Sequence, residues 1–270
     1  MMIISVSFFR VYFRVFTVRF MIRPKTFMPV AFLLLASGCA LSQAEKNKSI
    51  YHYQMGQSFF VENNFTGALQ ELTEAEKLTP KDPELLNLLG LTYFRKGRYE
   101  LAEAKYLKAL DLRENYSEAR NNLGVNYLEM KRWDDAIAQF KIVQEDLFFQ
   151  GQDNAAGNLG LAYLGKGDYP QALAVLRALV AKNGSDPRSR VNLGRVYFAM
   201  DKTELAVEEY QKALRLNRSY ASAHYHMGLA QMKLKDAEAA KSAFQEVVRM
   251  APDSEMGQLS REYLDLLKVR

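Results

Sequence analysis

Six glycines recur along the chain at Gly56, Gly90, Gly124, Gly160, Gly194 and Gly228, at intervals of 34, 34, 36, 34 and 34 residues. A fixed period of this size means that one supersecondary unit is repeated and stacked on its neighbours. Such an array buries its apolar surface between units and presents a long face for gripping other chains. It seldom carries catalytic chemistry of its own.

The period carries a residue pattern. With each glycine placed at position 8 of its unit, position 7 reads Met55, Leu89, Leu123, Leu159, Leu193, Met227, and position 11 reads Phe59, Tyr93, Tyr127, Tyr163, Tyr197, Gln231. Position 20 is alanine six times (Ala68, Ala102, Ala136, Ala172, Ala206, Ala240), and position 24 reads Leu72, Tyr106, Phe140, Leu176, Tyr210, Phe244. Small residues at 8 and 20 let helices A and B of a hairpin approach closely, while large ones at 7, 11 and 24 fill the space beside that contact. Turn residues fall between A and B, as in Lys96-Gly97-Arg98 and Lys166-Gly167-Asp168, and prolines stand between units, as in Pro80-Lys81-Asp82-Pro83 and Ser185-Asp186-Pro187.

This pattern resembles the tetratricopeptide repeat. The resemblance implies an all-α, right-handed superhelical solenoid of six helical hairpins over residues 49–254, with units at 49–82, 83–116, 117–152, 153–186, 187–220 and 221–254. Residues 255–270 are expected to add a capping helix, with Met256, Leu259, Tyr263, Leu266 and Leu267 on its buried stripe.

Residues 1–38 hold five basic side chains (Arg10, Arg14, Arg19, Arg23, Lys25) and no acidic one. An apolar run from Phe27 through Leu35 then reaches Ala36-Ser37-Gly38-Cys39. A basic segment, a short apolar core and small residues describe a secretory signal, too short to span a membrane. Cys39 is the only cysteine, and its setting resembles the bacterial lipoprotein box, which implies lipidation there. Ala36 stands three before it where that box usually has leucine. Met21 begins a signal of more ordinary length, an alternative start that would leave residues 1–20 untranslated. Residues 39–48 read as the lipidated cysteine and a flexible tether. Extended, that tether reaches about 33 Å at most, so the solenoid is expected close to a membrane. Ala40 is not the aspartate that retains many lipoproteins at the inner membrane, so the resemblance implies a periplasm-facing outer-membrane location.

The chain counts 36 basic and 31 acidic residues; without 1–38 it counts 31 of each. The basic balance therefore belongs to the signal and does not point to nucleic acid. Chemistry is sparse. His224 and His226 lie two apart and face different ways on a helix, so they cannot share a metal. No serine has the context of an activated nucleophile, and Gly165-Lys166-Gly167 is an inter-helix turn rather than a phosphate loop. No enzyme, cofactor, metal site or small-molecule substrate is expected.

Function is then expected on the concave face, at positions 2, 5, 9, 12 and 13 of helix A. The candidate groove comprises Tyr53, Phe60, Asn87, Phe94, Asn121, Asn122, Leu128, Asn158, Asn192, Phe198 and Tyr225. Apolar anchors with scattered amides suit a peptide or helix, although position 12 has inter-hairpin packing as its alternative role. A carboxylate clamp for acidic chain ends would need more cations than Arg195 and Lys233.

Two extra residues lengthen the joint between units 3 and 4, which contains Leu147-Phe148-Phe149. These three cannot all point inward from one short turn. They serve either as a binding hot spot or as a plug for the widened gap. Six repeats, the lipoprotein box and this joint together resemble the type IV pilus biogenesis lipoproteins, the PilF/PilW/Tgl pilotins. That resemblance implies a scaffold with the outer-membrane secretin as partner. The alternative is a lipoprotein adaptor that docks cell-wall hydrolases or synthases.

Overall fold

The computed structural model describes residues 42–268, and all of its regular structure is helical. The signal and Cys39 lie outside the described residues. Helices α1 (Gln43–Val61) and α2 (Phe65–Leu78) form the first hairpin, followed by α3 (Pro83–Arg95) with α4 (Tyr99–Leu112) and α5 (Ser117–Glu129) with α6 (Trp133–Glu145). Then come α7 (Gln152–Lys166) with α8 (Tyr169–Lys182), α9 (Pro187–Ala199) with α10 (Thr203–Leu216), and α11 (Ala221–Lys233) with α12 (Ala237–Met250); α13 (Glu255–Lys268) closes the array. Among the described residues no helix is long and apolar enough to cross a membrane.

The hairpin contact has the geometry that the repeat pattern requires. All six position-20 alanines are fully buried. A Cβ added to Gly90 would lie 2.6 Å from the Tyr106 ring, one on Gly124 2.6 Å from Phe140, and one on Gly160 2.5 Å from Leu176. At every unit the atom met belongs to the position-24 side chain. Real carbon contacts need more than 3 Å, so any side chain at position 8 would push helix B away from helix A.

A second repeat feature lies in the A–B turns. Position 15 has a positive φ in every unit: Asn63, Gly97, Lys131, Gly167, Asp201 and Lys235, with angles from 57° to 83°. Only two of the six are glycine. The other four hold a left-handed conformation that costs a side-chain-bearing residue about 1–2 kcal/mol. Helix starts are capped in a regular way: Asp82, Asp168 and Asp236 accept from backbone N–H groups at the start of α3, α8 and α12.

Two expectations need correction. Residues 43–48, read as part of a flexible tether, are the first turns of α1. Ser42 Oγ accepts from Glu45 N at 3.2 Å while Glu45 Oε2 accepts from Ser42 N at 2.9 Å, a reciprocal cap that starts the helix six residues before the repeat. On α13, Leu266 is 60% exposed and does not join the buried stripe. The cap is anchored instead by Tyr263, stacked on Phe244 at 5.0 Å between centroids, and by the buried Gly257 and Ser260.

Gly124→Ala should lower stability by about 1–3 kcal/mol through overpacking against Phe140. Lys131→Gly, which relieves its turn, should raise stability by about 1 kcal/mol. Chemical denaturation measures both; a parent-like midpoint for Gly124→Ala would contradict the contact.

Candidate functional site

Helix contacts define which face is concave. The backbone of each A helix comes close to that of the next (α1 with α3, α3 with α5, α5 with α7, α7 with α9, α9 with α11, α11 with α13). Among the described residues no two successive B helices approach as closely, and long side chains such as Lys105 and Lys108 bridge to Glu76 across the wider gap. The A helices therefore lie on the inner, tighter side of the curve, and their outward positions line the concave face.

Position 12 turns out to be half packing and half surface. Phe60 meets Phe65 edge-on at 5.5 Å, and Phe94 lies 5.7 Å from Tyr99, each pairing with position 17 of its own hairpin. Position 13 of the next unit then covers the pair. The Arg95 guanidinium lies 5.8 Å from the Phe60 centroid and 4.6 Å from that of Phe65, and Lys233 Nζ lies 4.7 Å from that of Phe198. Leu128 packs against the core in the same way. These side chains tie units together and leave only part of each ring open to the groove.

The amides are also partly committed. Asn122 Nδ2 donates to Asn87 Oδ1 at 3.0 Å, and Asn87 Nδ2 donates to Glu118 Oε1 at 3.2 Å and to the Tyr116 hydroxyl at 3.3 Å. Asn87 is 5% exposed and Asn192 6%, so these two support the wall rather than present themselves. Asn121 has a buried Oδ1 without a hydrogen-bond partner among the described residues. Asn158 is half-buried, as are Tyr53 and Tyr225 at the two ends of the face. Burial raises the hydroxyl pKa of both tyrosines, so they present neutral O–H groups.

At the long joint the three apolar residues divide. Phe149 folds inward onto the core, and its ring occupies the space where a Cβ on Gly151 would stand. Leu147 is 82% exposed and Phe148 94%. The turn that holds them out is well pinned. Ser117 Oγ donates to one Asp146 carboxylate oxygen at 2.5 Å, Phe148 N donates to the other at 3.1 Å, and Gln152 Nε2 donates to the Asp146 carbonyl at 2.5 Å. The Ser117 bond foremost, with the Phe148 backbone N–H, holds the Asp146 carboxyl below its ordinary pKa.

Sequence reasoning missed a histidine held between α10 and α11. His226 is stacked on Tyr210 at 5.9 Å, and burial, with Arg195 beside it, pushes its pKa down to about 3. A histidine two residues from another histidine gave no sequence sign of this. His224 points elsewhere, its Nε2 lying 2.9 Å from the Arg218 carbonyl.

The family profile described as tetratricopeptide repeat matches residues 53–117, 121–187 and 158–200, another of the same description matches 221–254, and one described as TPR repeat matches 194–235. The chain belongs to the tetratricopeptide repeat family. Its sequence is 24% identical over 199 residues to the BBSome complex member BBS4 of Bos taurus, covering 74% of this chain and 38% of that protein. It is 25% identical over 178 residues to the type IV pilus assembly protein PilF of Pseudomonas aeruginosa, covering 65% of this chain and 56% of that one. The chain thus spans well under two thirds of these relatives' lengths. Among solved structures, Pseudomonas aeruginosa PilF superposes with a TM-score of 0.63 at 19% identity, covering 82% of this chain and 99% of that one. PilW, described as a widely conserved type IV pilus biogenesis factor, superposes with a TM-score of 0.69 at 19% identity, covering 81% and 99%. These likenesses establish the six-hairpin repeat fold.

Two measurements follow from this geometry. Because the folded-state pKa of His226 lies below its ordinary value, its burial costs nothing above about pH 6.5. It removes stability increasingly as pH falls toward 3, at up to about 1.4 kcal/mol per pH unit. His226→Phe should therefore flatten the acid side of the Tm-versus-pH curve; parallel curves would refute the burial. Phe149→Ala should cost on the order of 2 kcal/mol of stability and Phe148→Ala less than about 0.5, as compared by urea titration.

Proposed function

We propose that this chain is a non-catalytic scaffold, anchored by lipid at Cys39 to the periplasmic face of the outer membrane, that promotes assembly of the type IV pilus secretin. The observation that carries the reading is the extent of the likeness to PilF and PilW, whose solved chains are each covered over 99% of their length. Matching most of a partner's whole chain is more informative than matching a repeat stretch inside a long protein, as happens with BBS4. Among the described residues no cluster of three metal-ligating side chains occurs.

The mechanism is one of capture. The A helices supply a continuous concave wall on which half-buried aromatic edges and a few amides give a segment of another protein its anchors. The exposed Leu147 and Phe148 supply a second, apolar contact at the inter-unit loop. Lipidation at Cys39 would place both surfaces within a short distance of the membrane, since the helix that follows begins at Gln43. Several acyl chains anchor firmly where one is marginal.

Deletion of the gene should leave the secretin synthesised but monomeric or mislocalised, with surface pili lost. Cys39→Ala should move the protein from the membrane to the soluble fraction. Normal heat-resistant secretin multimers in the deletion strain would remove this function, and cell-shape or hydrolase-sensitivity defects would then favour a cell-wall adaptor.

A further inference from the structure

Four arginines among the described residues are neither exposed nor remote from the helix interfaces: Arg120, Arg132, Arg190 and Arg195. Three are satisfied. Arg120 donates to Gln139 and to the Glu114 carbonyl, Arg132 to Glu103 and Asp135, and Arg190 to Glu209 and the Gly184 carbonyl. Arg195 has no hydrogen bond and no ion pair among the described residues, although it keeps partial access to solvent. Burial lowers its pKa, and the titratable groups that act against this are the phenols of Tyr210 and Tyr220, which burial keeps neutral, with no carboxylate among them. The His226 ring, stacked on Tyr210, is also near Arg195, and burial keeps that ring neutral.

The position of this residue matters as much as its isolation. Arg195 is position 9 of α9, on the concave side, and lies near enough to His226 of α11 and Tyr210 of α10 to interact electrostatically with both. One turn away on α9 are Val191 and Phe198, and Leu229 stands at the equivalent position of α11. The other cations of this face are engaged: Lys233 pairs with Asp201, Arg188 lies 3.8 Å from Asp186, and Arg95 donates to Asn63 at 3.1 Å. A partly desolvated guanidinium without a counter-ion costs stability, and replacing buried charge by apolar volume is often stabilising. Its planar fork and weak hydration suit it to receive a carboxylate two-point fashion.

We propose that Arg195 is an anion subsite of the concave face and receives the side-chain carboxylate of one aspartate or glutamate in a partner polypeptide, flanked by apolar residues that lie on the half-buried Phe198 and Leu229. The site differs from a clamp for chain ends in having one cation and apolar walls. This inference rests on the groove being a segment-binding surface, as proposed above.

The test is selection of a random twelve-residue library displayed on phage, fused at its C-terminus to the coat protein so that no free terminal carboxylate is present. Selection is run on the full-length protein and on Arg195→Met, and the enriched peptides are then synthesised with blocked ends. The expected result is wild-type-selected peptides sharing an acidic residue between apolar ones. They should lose roughly ten- to hundredfold in Kd on Arg195→Met, and equally on acid-to-amide replacement in the peptide. The Tm of Arg195→Met should stay level or rise, whereas a structural arginine would lower it. Peptides without acidic enrichment, or ones bound equally by both proteins, overturn the subsite while leaving the groove reading intact. Failure to enrich any peptide, or enriched peptides insensitive to Leu161→Trp in the middle of the concave face, overturns the groove reading and the subsite with it.

Discussion

Every level of this structure depends on the close approach of helix A to helix B at the glycine of position 8. A side chain there would collide with the Leu, Tyr or Phe of position 24, and separating the helices to relieve it would tilt each hairpin and hence each unit stacked on it. Because a repeat protein adds its stability through nearest-neighbour interfaces, a local tilt is felt mainly at the two joints beside it. The six identical alanines at position 20 belong to the same constraint, since they are the matching flat surface on helix B. The concave wall inherits its regularity from these contacts rather than from anything in the groove.

The fold was readable from the sequence because its determinant is steric and periodic. Glycine, alanine and large residues at fixed spacing declare a hairpin wherever they recur, and the structure places each of those residues where the spacing requires. Two boundaries were less visible for local reasons. The early start of α1 rests on Ser42 and Glu45, a four-residue capping box buried in a polar stretch that otherwise reads as tether. Leu266 shares a helical stripe with Tyr263, but the last hairpin offers the cap a contact only on the Tyr263 side.

The candidate site was legible by position and not by role. Which residues face the groove follows from the repeat register, but whether a side chain is free depends on its partners. Asn87 and Asn122 satisfy one another across two helices, and Phe60 is shared between its own hairpin and Arg95 of the next unit. Of Phe148 and Phe149, identical in chemistry and adjacent in sequence, one packs and the other stands in solvent because a hydrogen-bonded turn at Asp146 decides their directions. Arg195 is the sharpest case: the lack of a counter-ion is a property of everything around a residue and leaves no mark in the sequence.

The close backbone approach of successive A helices, which successive B helices lack, packs the array tightly along one side and leaves the other spanned only by long side chains such as Lys105 on Glu76. It behaves as a leaf spring clamped at its inner edge. Small rotations about that seam change the spacing of the outer helices without breaking any helix pair, and each rotation adds to the next along six joints. A change of curvature of the whole wall can thus be distributed as minor adjustments, none of which disturbs a hairpin. The width of the wall's concavity is therefore a soft variable of this molecule, while the spacing of the residues along it is a hard one.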